Sequence, residues 1–97
     1  MRRMLVLVAA TAAFSASAQE NARNLASACA ICHGTHGVPP SGAPVIPLAG
    51  LPREHIASQM RAFRDGQRPA TVMHQIAKGY TDAQIDAMAA WFAGQKR

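Results

Sequence analysis

Cys29-Ala30-Ile31-Cys32-His33 places two thiols three positions apart, with an imidazole directly after the second. That C-x-x-C-H spacing suits covalent attachment of haem. The cysteines add across the two vinyl groups of the porphyrin, and the histidine falls beneath the iron as its proximal ligand. Cys29 and Cys32 are therefore the candidate thioether residues and His33 the candidate iron ligand. A C-x-x-C alone also serves as a zinc half-site, a disulfide or a thioredoxin-type dithiol. The dithiol normally follows a strand in a βαβ unit, which is not visible in this chain. The histidine directly after the second cysteine decides for haem, and a single motif means a single haem.

The start of the chain reads as a leader for export. Arg2 and Arg3 form a charged head, Met4 to Phe14 a short apolar run, and Ala16-Ser17-Ala18 a small-x-small cleavage site. Residues 1–18 are expected to leave, so that Gln19 opens a mature domain of residues 19–97. The apolar run is too short to span a bilayer, so no membrane span is expected after cleavage. Export agrees with the haem reading, since bacterial attachment of haem to this motif takes place outside the cytoplasm, and it points to the periplasm.

What remains is one small domain, whose core is marginal without a staple such as a cofactor. A covalently tethered porphyrin supplies an apolar plate for short helices to cover. The whole chain carries +5; without Arg2 and Arg3, eight basic residues face five acidic ones, a net +3. That charge is too weak and scattered to favour a nucleic-acid partner.

The elements that must position the motif are helical. Residues 20–32 read as a first helix with Asn21 as N-cap, Leu25 and Ala28 on one face, and the cysteines on its last turn. Gly34 to Pro52 holds four glycines and five prolines in nineteen residues and reads as a loop. A second helix over 52–65 carries an apolar stripe of Ile56, Met60 and Phe63 and closes at Gly66. A short turn runs from Thr71 to Lys78. The last helix opens on Thr81-Asp82-Ala83-Gln84, a capping box, followed by Ile85, Met88, Ala89 and Phe92 at core spacing. Period-two alternation is lacking, so the fold class is all-α.

With Met1 and Met4 in the leader, Met60, Met73 and Met88 are the methionines left for the sixth iron position. Met60 and Met88 lie on helical apolar stripes, where methionine serves as core filling. Met73 follows the Arg68-Pro69 loop, which can fold over the open face of the porphyrin, with His74 its main competitor. A thioether raises the potential of the iron and a second imidazole lowers it. Either would fill the last coordination site, which favours electron transfer over catalysis. Arg61, Arg64 and Arg68 share a helical spacing; a solvated face is the plainer reading, and pairing with propionates or an acidic partner the sharper one. The carbonyl that steadies the proximal histidine is sought at Ile46 or Pro47.

The stretches C-A-I-C-H-G-T-H-G, P-V-I-P-L-A-G and M-H-Q-I-A-K-G-Y-T-D-A-Q-I-D-A-M-A-A-W-F together resemble the small class I bacterial cytochromes c. The resemblance covers essentially the whole mature chain. It implies three to five short helices wrapped around one covalently attached haem c. Asp65 to Met73, running into Ile76-Ala77-Lys78-Gly79-Tyr80, is more particular and is similar to the cytochrome subunits of flavocytochrome c sulfide dehydrogenases. In that family the methionine of R-P-A-T-V-M ligates iron, which carries over to Met73. The family's loop reads I-P-x-L-A-G, whereas here the proline stands one place later, at Pro47, with Ile46 in the expected place of the carbonyl-bearing proline. The resemblance implies a non-catalytic haem subunit. An FAD-containing flavoprotein subunit would oxidise sulfide and deliver electrons one at a time, and a soluble redox protein would accept them. Two alternatives stay open: a free-standing periplasmic shuttle to a terminal oxidase or reductase, which shares every site residue, and a haem enzyme or gas sensor in which Met73 is not bound and the sixth site is open.

Overall fold

The structure is a computed structural model that describes residues 21–97. The expected leader and its cleavage site lie outside the described residues. Among the described residues the chain is all-helical: α1 (21–33), a 3-10 turn (Thr35–Gly37), α2 (Arg53–Arg64), α3 (Met73–Ala77) and α4 (Asp82–Ala93). No helix among them is long and apolar enough to cross a membrane.

α4 forms for the reasons its sequence states. Thr81 Oγ1 accepts from Gln84 N at 3.2 Å, and Thr81 N donates to Gln84 Oε1 at 3.0 Å, so two orphan donors of the first turn are satisfied reciprocally. Its Ile85, Met88, Ala89 and Phe92 are all buried. With Ala26 of α1 and Ile56 and Ala57 of α2 they make one core cluster, against which Leu25, Cys29, Leu48, Leu51, Met60, Tyr80 and Trp91 pack. Met60 and Met88 thus serve as core filling.

α2 begins at Arg53 after Pro52 and packs along both α3 and α4. Its last turn is tied to α4 by ion pairs: Arg61 reaches Asp82 at 3.1 Å and Asp86 at 2.7 Å, and Arg64 reaches Asp82 at 2.8 Å. These two arginines are therefore clamps between helices, not a freely solvated face. Two expectations for α1 also need correction. Asn21 is itself helical, and Ala28 is exposed while Ala26 is buried. The inward face is Leu25, Ala26 and Cys29, because alanines carry too little apolar area to set a helix's phase from sequence.

Candidate functional site

The last turn of α1 carries Cys29, Cys32 and His33 together. Both cysteines are free thiols, Cys29 half-buried and Cys32 exposed. Burial pushes the Cys29 thiol above its ordinary pKa, with the neighbouring Cys32 adding to the rise and a backbone hydrogen bond opposing it. Tyr80 packs into the same core; its phenol is raised by burial and then by the nearby Cys29.

The chain leaves α1 through a turn that only glycine can make. Gly34 donates to Ala30 O at 3.0 Å and then adopts φ 87°; a Cβ there would stand 2.1 Å from Val38 O. His36 follows in the left-handed region at φ 56°, unusual for a residue with a side chain, its ring edge-on to Trp91 at 6.5 Å. The carbonyl of Gly37 then accepts from Leu48 N at 2.9 Å and Ala49 N at 3.1 Å. These two bonds bring the proline-rich loop back across the end of α1 and set the carbonyl of Ile46 2.7 Å from His33 Nδ1.

That contact fixes the imidazole's chemistry. A carbonyl oxygen can only accept, so His33 Nδ1 carries the proton and donates it, which leaves the Nε2 lone pair of the neutral ring for a metal. The support expected at Ile46 or Pro47 is at Ile46. Pro47 acts indirectly: the residue before a proline is confined to extended backbone, so Pro47 restrains the direction of the Ile46 carbonyl.

Met73 opens α3 and lies outside the core cluster, half-buried, with exposed Val72 before it. His74 is half-buried beside it, unlike His36 and His55, which are exposed. His74 Nδ1 is the one buried side-chain nitrogen or oxygen without a hydrogen-bond partner among the described residues. Arg68, missed as a distinct element by its shared spacing with Arg61 and Arg64, stacks over the Phe63 ring with its guanidinium carbon 4.7 Å from the centroid, and donates to Gln59 Oε1.

The donor set fits a covalently held haem. Two unpaired thiols and a carbonyl-oriented imidazole share one helical turn, and a thioether and an orphaned imidazole nitrogen sit together on α3. Large apolar side chains stand out in solvent on the segments bearing these groups: Ile31 is 85% exposed, Ile46 58% and Val72 56%, with Val38 and Ile76 also open. Burial of such groups against a porphyrin is the favourable term. No group of three or more His, Cys, Asp or Glu able to hold a bare metal ion occurs among the described residues.

Comparison with known proteins agrees with this chemistry. The family profile described as "Cytochrome C oxidase, cbb3-type, subunit III" matches residues 16–92. A thiosulfate dehydrogenase electron acceptor of Thiomonas intermedia is 36% identical over 103 residues, covering 99% of this chain and 45% of that protein. The cytochrome subunit of sulfide dehydrogenase of Chlorobaculum tepidum is 41% identical over 69 residues, covering 70% of this chain and 60% of its own length. Cytochrome c-554(548) of Halomonas halodenitrificans is 38% identical over 72 residues, covering 70% of this chain and 84% of that protein. The chain thus spans about half the length of the first two. By name these relatives are a cytochrome, a cytochrome subunit of a dehydrogenase and an electron acceptor of one. All-helical among the described residues, with one C-x-x-C-H for one haem c, the chain belongs to the cytochrome c family as a small class I electron carrier.

Proposed function

We propose that this chain is the periplasmic one-electron acceptor of a dehydrogenase that oxidises sulfide, in the manner of a flavocytochrome c haem subunit. Residues 1–18 serve as the export leader and residues 19–97 as the mature carrier. Covalent haem, when bound, supplies an iron centre that takes up and releases single electrons. Cys29 and Cys32 would tether it, and His33 through Nε2 and Met73 through its sulfur would hold its iron. The observation that carries the reading is the 2.7 Å bond from His33 Nδ1 to the Ile46 carbonyl, which holds the imidazole in the tautomer an axial ligand needs. With His33 and Met73 both holding the iron, no place would remain for substrate, so the chain would relay electrons and sulfide chemistry would belong to the FAD-containing partner. The likeness to the Chlorobaculum sulfide dehydrogenase subunit supports that donor, and a soluble redox protein receives the electrons.

A second reading has its own support: the Thiomonas thiosulfate dehydrogenase acceptor aligns with 99% of the chain, which favours thiosulfate as the oxidised compound. Gentle purification from the periplasm at low salt, followed by an absorption spectrum, tests the proposal. Haem bands with near-stoichiometric flavin are expected. Haem bands alone, with rapid reduction by a thiosulfate dehydrogenase, would transfer the assignment to the second reading. Haem alone with neither donor active would leave a free shuttle.

A further inference from the structure

We propose that Arg68 is a positioning residue for the sixth-ligand segment, pinning the loop that presents Met73 and so setting how firmly the thioether holds its place on iron. The inference rests on the assignment of Met73 above.

The three arginines of the α2 series differ in what they do. Glu54, Asp65, Asp82 and Asp86 are engaged by Arg53, Arg61 and Arg64, and no ion pair among the described residues includes Arg68. Arg68 instead folds back over α2, its flat guanidinium on the Phe63 ring and one N–H on Gln59 Oε1. Planarity matters for both contacts, since a lysine ammonium cannot stack in this way. The backbone joins in: Gln67 N and Arg68 N both donate to Ala62 O, at 2.9 and 3.2 Å.

Beyond Arg68 the anchoring stops. Among the described residues, the backbone N–H groups of Ala70, Thr71 and Val72 make none of the hydrogen bonds between segments, and Pro69 has none to give. The next backbone bonds are those of α3 itself, from Gln75 and Ile76 to Val72 O. α3 is five residues long, has no side-chain cap at Val72, and is too short to hold its own shape in isolation. Ala77, fully buried, fixes its far end against the core. Its near end, where Met73 sits, hangs on a four-residue tether from Arg68. Releasing Arg68 lengthens that tether and gives the thioether more freedom to leave.

The test is a titration of the ferric haem-loaded protein with imidazole, which competes for the sixth position. Loss of the weak far-red band of thioether-ligated ferric haem reports the exchange. Arg68→Lys and Phe63→Leu are each expected to raise imidazole affinity about tenfold, and the double variant no further, because both remove the same stacked contact. Ile85→Val serves as the control: it trims a fully buried core side chain and should lower the unfolding midpoint without changing imidazole affinity. If the two loop variants lose stability but bind imidazole as the parent does, Arg68 merely supports the fold and the proposal is overturned. A far-red band that survives Met73→Ala would instead overturn the ligand assignment, and the proposal with it.

Discussion

Gly37 lies directly against the ring of Phe92: a methyl group built on its α-carbon would stand 2.8 Å from Phe92 Cδ1 and 2.9 Å from Ala49 N. The same residue holds φ 79° and offers the carbonyl that draws Leu48 and Ala49 back toward α1. Gly37→Ala therefore combines a left-handed backbone penalty with overpacking of a buried ring. We expect a loss of about 3 kcal/mol, the sum of the ordinary costs of the two effects. Denaturant unfolding of the haem-loaded protein measures it, and an unchanged midpoint would mean that the loop does not bear on the core.

Replacing Met73 with alanine is expected to lower the midpoint potential and open the iron to imidazole or carbon monoxide. Spectra and potential identical to those of the parent would remove Met73 from the site. A new low-spin form that refuses exogenous ligands would assign the position to His74, whose Nδ1 has no partner.

The ion pairs between α2 and α4 predict an acid limb in stability. Arg64 first and Arg61 second hold the Asp82 carboxyl below its ordinary pKa. A carboxylate depressed in the folded state stabilises it above the unfolded value, near about 4, and that contribution fades as pH falls through the lower folded value. The melting temperature should thus drop as pH is taken from about 5 to about 2. In Arg64→Met, or in molar salt, the part of the drop due to Asp82 should shrink. Parallel curves for variant and parent would show that Asp82 titrates independently of these arginines.

Much of this was readable from the chain, and the exceptions share a cause. The α4 boundaries followed from Thr81 and Gln84 because a capping box is a local device, complete within four residues. Arg61 and Arg64 read as a solvated row because Asp82 and Asp86, their partners, lie about twenty residues further on and meet them only after α2 and α4 pack. Arg68 shared their spacing but not their role, since a turn after α2 sends it back onto Phe63. His36 gave no hint of its φ of 56°. Cys29, Cys32 and His33 were legible as a unit, whereas the choice between Ile46 and Pro47 depended on the direction of one peptide plane.

Pro47 offers a way to perturb that plane without touching a ligand. In Pro47→Gly, residue 46 gains backbone freedom, and the loss of restraint should cost about 0.5–1 kcal/mol in stability. The His33 Nδ1 proton, sheltered by its bond to Ile46 O, should exchange with solvent faster, as NMR can follow. An unaltered exchange rate would show that the Leu48 and Ala49 bonds to Gly37 suffice to aim the carbonyl.

The group that steadies His33 is a main-chain carbonyl, while the side chain on the same residue points largely into solvent. Position 46 therefore separates two selective pressures that usually collide. Its backbone sets the tautomer of the imidazole whatever amino acid stands there, so a lineage could change the side chain, and with it how the loop packs on the porphyrin, while the proton on Nδ1 stays put.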